Sequence, residues 1–261
     1  MRSSIIPPDA YALITGASGG IGRELARVFA AQGHRVILLA RTREPLESLA
    51  RELGGSSKAL VIVKDLAETS AAVSVYEEVR RLGVAVGVLV NNAGFGAYGR
   101  FGTAPERMDR ELLQVNLVSL IELTKLFLKD MQRTDRGRIL NIASTAAFQP
   151  GPGMALYYAS KAFVLSFSLA LSEELRGSGV TVTALCPGPT DTGFQDRAGI
   201  SQAKLMSLGR MSAQRVARAG YAGLMKKKRL VIPGLRNQAV ATVVPLMPRG
   251  AVLRLVKWLH R

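Results

Sequence analysis

The chain has 261 residues, 48% of them hydrophobic, a composition that can bury a large core and excludes a disordered or fibrous protein. Its single cysteine, Cys186, excludes an internal disulfide and suits a reducing compartment. The first ten residues lack the apolar stretch of a signal peptide and no 18-residue window is apolar without interruption, so a soluble cytoplasmic protein is expected. The net charge of +16 is unevenly placed: between Arg197 and Arg261 there are 14 Lys and Arg and no Asp or Glu, leaving +2 for residues 1–196. A basic C-terminal quarter suggests an anionic partner surface, either membrane or nucleic acid.

Ala12–Thr15 reads as a short strand running into TGASGGIG, and Arg23–Ala31 as a helix with apolar Leu25, Ala26, Phe29 and Ala30. Strand, glycine turn and helix N-terminus together can bind a phosphate, because exposed N–H groups face the anion and glycine lets the backbone approach. The glycines fall at Gly16, Gly20 and Gly22, not at the usual GxGxxG spacing. Arg35–Ala40 is the second strand. An acidic residue at its end would select the free ribose hydroxyl of NAD, whereas here Arg41 follows, with Thr42 and Arg43. Guanidinium groups suit a 2′-phosphate. The expected cofactor is NADP(H), with NADH disfavoured.

Glu44–Leu53 reads as a helix, Ala59–Val63 as a strand leading into Asp65 and Leu66, and Thr69–Leu82 as a helix opened by a Thr cap. Val86–Val90 is a fourth strand entering Asn91-Asn92-Ala93-Gly94. This alternation predicts an α/β fold: one Rossmann-like domain with a doubly wound parallel sheet of about seven strands and helices on both faces. Ligands then bind at the carboxyl ends of the strands, where the glycine turn, Arg41, Asp65 and Asn92 fall. Pro105–Met131 reads as one long helix with Asn116 beside its apolar stripe, in a structural or a functional role. Arg138–Ala143 is a fifth strand with Ser144 at its end, followed by the loop QPGPG, and Val180–Cys186 a sixth, running into Pro187-Gly188-Pro189-Thr190-Asp191-Thr192. Leu230–Ile232 is a candidate seventh. Gly193–Arg210 carries no strand signal and suits a substrate-binding segment spanning about 189–211.

The run Met154–Leu175 reads as a helix carrying Tyr157-Tyr158-Ala159-Ser160-Lys161. Residues three and four apart share a helix face, so Lys161 can lie near either phenol and lower its pKa toward a value useful for proton transfer. Helical spacing does not choose between the two tyrosines.

Taken in order, TGASGGIG, NNAG, Asn116 in QVNLVS, Ser144 in NIAST and YYASK resemble the short-chain dehydrogenase/reductase family over about residues 10–235. The resemblance implies hydride transfer between a nicotinamide and a carbonyl or alcohol. Its YxxxK spacing selects Tyr157 as general acid or base, with Lys161 lowering its pKa and binding the nicotinamide ribose. It further implies that Ser144 donates to the reacting oxygen and that Asn116 holds a water in a proton relay. Gly16, Ser18, Gly20, Ile21 and Gly22 match the family's pyrophosphate loop and Arg41 its 2′-phosphate site. Asp65 and Leu66 match adenine contacts, Asn92, Ala93 and Gly94 border the ribose, Thr190 and Thr192 would engage the carboxamide end, and Pro187 and Gly188 complete the cofactor set. One departure concerns Gly19, where many NADP-preferring members carry a basic residue. Arg41, with Arg43, would have to supply that charge.

Residues 1–235 thus form the expected catalytic domain, and 236–261 a basic C-terminal extension ending in a short amphipathic helix. In that helix Leu253, Leu255, Val256, Trp258 and Leu259 interleave with Arg254, Lys257 and Arg261. Residues 245–261 can lie on the inner face of a membrane or pack on a neighbouring subunit of a homodimer or homotetramer. Nucleic acid is disfavoured, because this tail has one aromatic residue and no nucleic-acid motif. Phe95, Phe101, Phe148, Met154, Leu156 and Phe194 near the expected pocket suggest an apolar ketone, aldehyde or acyl substrate. Two alternatives stand beside this reading: a 3-oxoacyl- or steroid-type reductase, and a non-catalytic NADPH-binding protein working through its basic tail.

Overall fold

Side chains that alternate along the strands send core residues to both sides of one sheet. The computed structural model describes residues 10–199 and 209–260. The strands are β1 (Tyr11–Thr15), β2 (Arg35–Ala40), β3 (Ala59–Val63), β4 (Val86–Asn91), β5 (Gly137–Ile142) and β6 (Val180–Leu185). Two short strands, β7 (Thr190–Asp191) and β8 (Met211–Ser212), pair with each other, and β9 (Leu230–Val231) completes the main sheet. That sheet has seven parallel strands in the order β3-β2-β1-β4-β5-β6-β9. The chain winds outward from β1 to β3 and then returns to pair β4 with β1. This reversal opens a crevice at the carboxyl ends of β1 and β4.

The helices are α1 (Gly20–Ala31), α2 (Arg43–Glu52), α3 (Ala71–Arg81), α4 (Glu106–Leu113), α5 (Ser119–Arg133) and α6 (Ala155–Glu174). They continue with α7 (Phe194–Ala198), α8 (Ala213–Met225), α9 (Leu235–Val243) and α10 (Arg249–Leu259). Ile14, Val36 and Leu38 pack on one face with Phe29 of α1, Leu46 of α2 and Val216 of α8. Leu13, Ile37 and Leu39 pack on the other with Val75 of α3, Phe127 of α5 and Leu171 of α6. Phe29 and Phe127 are almost wholly buried, and truncating either to Ala would cost about 3–5 kcal/mol.

Three local readings change. The helix expected over Pro105–Met131 is interrupted, because Gln114–Val118 forms a π-helical turn with Asn116 at its centre. The first residue of α1 is Gly20, which draws Gly20, Ile21 and Gly22 into its opening turn. Ser70, not Thr69, precedes α3, and its side chain caps nothing. Within the segment read as substrate-binding, Phe194–Ala198 forms the short helix α7, and residues 200–208 lie outside the described residues.

Among the described residues one helix, α6, is long and apolar enough to cross a membrane, with 20 residues and a mean hydropathy of 1.2. In this fold it packs through Val164, Leu165 and Leu171.

Candidate active site

Between β1 and α1 the chain turns through Gly16 and Gly20, at φ +65° and +52°. Both values lie in the left-handed region that favours glycine. The first turn of α1 holds no acidic residue, so its N–H groups form a positive end without a built-in counter-charge. Thr15 Oγ1 accepts from the backbone N–H groups of Asn92 and Ala93, both at 2.9 Å, and the Asn92 amide donates to the Thr15 carbonyl at 2.8 Å. The NNAG segment is therefore tied to the glycine turn. A Cβ at Gly22 would fall 2.3 Å from the Gly16 carbonyl oxygen, so Gly22 lets α1 close onto the turn and sits behind the surface.

A cavity of about 1050 Å³ runs from this turn across the strand ends. Gly16, Ser18, Gly20, Ile21, Arg41, Asp65, Leu66, Asn92, Ala93 and Gly94 line one end; Pro187, Gly188, Thr190 and Thr192 lie farther along. Arg41 is exposed at the end of β2. Arg43 does not border the cavity and instead pairs with Glu47 on α2 at 3.3 Å. Lys64, which the sequence reading passed over, lines the cavity and pairs with Glu68. Its position at the end of β3, next to Asp65, was the available signal.

Ser144, Tyr157 and Lys161 meet in the middle of the same cavity. Ser144 opens a short helical turn, accepting from the Ala146 N–H at 3.1 Å, while its hydroxyl donates to the Pro187 carbonyl at 3.5 Å and lies close enough to Tyr157 to lower the phenol's pKa. Lys161 Nζ donates to the Ile142 carbonyl at 2.9 Å and stands 5.8 Å from the centre of the Tyr157 ring. Burial sets the proton affinities. It pushes the Tyr157 phenol up to about 12, offset only in part by the Ser144 hydrogen bond, and brings Lys161 down to about 8. The phenol therefore lies above its ordinary value rather than below it, with burial as the cause.

Asn116 does not line the cavity. Its Oδ1 accepts from the Phe95 N–H, and its Nδ2 donates to the Phe95 carbonyl and to Ser160 Oγ, each at 3.0 Å. These bonds fix the strand-end loop after Gly94 against α6. Asn91 lies deeper, donating to Thr124 and to Asn141 at 3.0 and 2.9 Å.

At the far end Met154, Phe194, Val240, Val244, Leu255 and Leu259 form an apolar wall. Phe95 also borders the cavity, whereas Phe101, Phe148 and Leu156 do not; Phe101 is 66% exposed and Phe148 packs in the core. The C-terminal stripe divides: Val252 and Val256 are buried against Ala146, Met154 and Tyr158 of the same chain, while Leu253 and Trp258 remain exposed. His260, also missed, is buried against Tyr158. Nothing local marks it, because its partners lie about a hundred residues upstream.

The glycine turn fits a dinucleotide pyrophosphate. A Cβ at Gly20 would meet Thr192 at 3.1 Å and one at Gly16 would meet Asn92 at 2.8 Å, so bare backbone is needed where an anion would approach. Arg41 adds positive charge at the adenosine end.

Comparison with known proteins agrees with this geometry. The family model for short chain dehydrogenase matches residues 10–203. The 17-beta-hydroxysteroid dehydrogenase type 3 of Homo sapiens is 37% identical over 191 residues, 70% of this chain and 59% of that protein. The very-long-chain 3-oxoacyl-CoA reductase of Anas platyrhynchos is 36% identical over 188 residues, 68% of this chain and again 59% of the relative. The chain thus spans well under two thirds of the length of these two relatives. A short-chain dehydrogenase from Sphingobium yanoikuyae solved in complex with NADPH superposes with a TM-score of 0.81 at 31% identity, covering 93% of this chain and 94% of that one. With its glycine turn, its Ser144–Tyr157–Lys161 set and a family match over most of its length, the chain belongs to the short-chain dehydrogenase family.

Proposed function

We propose that this protein is an NADP(H)-dependent oxidoreductase that interconverts a carbonyl and an alcohol on a large apolar substrate. The observation that carries the reading is a single cavity holding the glycine turn at one end, Ser144, Tyr157 and Lys161 in the middle, and an apolar wall at the other. A bound nicotinamide supplies or accepts the hydride. Tyr157, a phenol that is protonated at neutral pH and pushed further up by burial, gives its proton to the carbonyl oxygen in reduction and takes it back in oxidation. Ser144 donates to the same oxygen as negative charge develops. Lys161 anchors beside the phenol through the Ile142 carbonyl and stabilises the phenolate left after proton transfer. Asn116 holds the Phe95 backbone and Ser160 in register beneath them.

Gly16, Ser18, Gly20 and Ile21 would hold the pyrophosphate and Arg41 the 2′-phosphate, with Lys64 beside it. Asp65 and Leu66 would face the adenine, Asn92, Ala93 and Gly94 the ribose, and Pro187, Gly188, Thr190 and Thr192 the carboxamide. The NADPH complex of the Sphingobium relative supports the phosphorylated cofactor. Relatives named for a steroid and for a very-long-chain acyl thioester favour a large apolar carbonyl. Exposed Leu253 and Trp258 beside Arg254 and Lys257 favour peripheral contact with an anionic membrane. The outward face of α6, with exposed Phe163 and Leu169, suits a second copy of the chain.

Titrating the protein with NADPH and with NADH tests the reading. Tight NADPH binding and weak NADH binding are expected, followed by NADPH-dependent reduction of steroid or 3-oxoacyl ketones. If neither nucleotide binds, the proposal fails and the basic tail becomes the functional part.

A further inference from the structure

His260 is 5% exposed and engaged at both ring nitrogens. Its Nδ1 lies 2.9 Å from the Pro152 carbonyl oxygen. A carbonyl only accepts, so Nδ1 carries the hydrogen and Nε2 of the neutral ring is an acceptor. The Tyr158 hydroxyl, 2.7 Å away, donates to it. The imidazole also meets the rings of Tyr158 and Tyr98 edge-on, with centroids 5.4 and 6.2 Å apart. The loop opposite is shaped for this contact. A Cβ at Gly151 would fall 2.2 Å from the Tyr158 ring, and one at Gly153, where φ is +84°, would fall 2.7 Å from Tyr98. Bare backbone at these two positions lets both rings approach while Pro152 presents its carbonyl to His260.

The eleven residues of α10 are too few to form a stable helix alone, so the helix depends on what docks it. Val252 and Val256 supply one anchor, buried with Met154 and Tyr158. His260 supplies the other at the last turn. Between these anchors Leu255 and Leu259 face the cavity. Tyr157 points into that cavity from the position before Tyr158, with the two rings 6.0 Å apart. Adjacent tyrosines on α6 thus divide their tasks, one toward the reacting centre and one toward the wall.

We infer that the Tyr158–His260–Pro152 hydrogen-bond chain is a latch that holds α10 as the outer wall of the substrate half. Leu255 and Leu259 then set which substrates fit, and His260 is a positioning residue acting through Tyr158. The assignment of substrate size rests on the oxidoreductase reading above; the latch does not.

The test compares the full-length protein with Tyr158→Phe, His260→Ala, their double variant and His260→Gln, by hydrogen exchange and by kinetics. Tyr158→Phe keeps the ring and its packing while removing the donor. Amides of residues 251–260 are expected to exchange about tenfold faster in Tyr158→Phe and faster still in His260→Ala, which also loses the Pro152 bond, while the double variant exchanges no faster than His260→Ala because the Tyr158–His260 bond is lost only once. Gln can keep one donor and one acceptor and should restore part of the protection. With saturating NADPH and a series of aryl alkyl ketones of increasing length, KM for the longest should rise about tenfold with kcat within about twofold and NADPH affinity unchanged. Leu259→Ala should shift the preference toward bulkier ketones. Unchanged exchange in Tyr158→Phe, or losses that add in the double variant, would overturn the latch. Faster exchange with an unchanged ketone profile would overturn the specificity role. Absent NADPH binding by the wild type would sink the oxidoreductase reading while exchange still decides the latch.

Discussion

The two ends of the cavity are built by different means. The nucleotide end is made of backbone: Gly16, Gly20 and the opening turn of α1, braced by Thr15 and by the amide of Asn92. The substrate end is made of side chains gathered from distant segments, Met154 just before α6 and Tyr158 within it, Phe194 from α7, and Leu255, Leu259 and His260 from the C-terminus. Backbone cradles depend on what glycine permits and recognise a feature shared by all dinucleotides. Side-chain walls can be exchanged residue by residue, which is how one fold serves many substrates.

The contrast is broken most severely in the middle, where both ends meet. Tyr157→Phe should lower turnover by about a thousandfold while leaving NADPH affinity unchanged, because only the proton donor is removed. Steady-state kinetics beside a nucleotide titration measure both, and a fully active variant would move attention to Tyr158. A pH profile probes the same centre. Lys161 sits at about 8 and Tyr157 at about 12, so raising the pH through 8 neutralises the amine while the phenol stays protonated. The reductive rate should be level below about pH 8 and fall roughly tenfold per unit above it. A rate level to about pH 10 would show that a charged Lys161 is not needed.

Smaller effects separate the two ends. Arg41→Ala should weaken NADPH about tenfold or more and NADH little, with ketone KM values unchanged at saturating cofactor. Equal losses for both nucleotides would place the 2′-phosphate elsewhere. Gly19→Arg should do the opposite at the lowest amplitude. Gly19 is extended at φ −169° and a Cβ there meets nothing within 4 Å, so the substitution fits, and NADPH should bind about threefold more tightly. Calorimetry with both nucleotides would sort these outcomes.

The nucleotide end was legible in the sequence because its signals are contiguous. TGASGGIG, NNAG and the residues after β2 and β3 each sit at a strand end, and strand ends converge in a doubly wound sheet. A lysine one helical turn from a tyrosine was legible for the same reason, but helical spacing left Tyr157 and Tyr158 open and only the family's YxxxK pattern selected Tyr157. Legibility failed where function depends on environment or on chain crossing. Enclosure of the Tyr157 hydroxyl reversed the expected direction of its pKa, and enclosure is a property of the packed site. The π turn carries Asn116, whose bonds to Phe95 and Ser160 are tertiary and leave no local signature. Phe101 and Phe148 were placed near the pocket by proximity in sequence, yet neighbouring residues can face opposite sides of a loop.

Strand periodicity and glycine placement determined the fold and the glycine turn, and helical spacing put Lys161 near a tyrosine, because each rests on interactions within a few residues. Tertiary structure alone decided the fate of the C-terminus. Read in isolation, Arg249–Leu259 is a basic amphipathic helix whose apolar stripe could face a bilayer, another subunit or its own domain. Folding assigns Val252 and Val256 to the domain, Leu255 and Leu259 to the cavity and Trp258 to solvent. The contacts that place this helix, to Met154, Tyr158 and the Pro152 carbonyl, lie about a hundred residues upstream, and only tertiary folding brings them within reach of Val252, Val256 and His260.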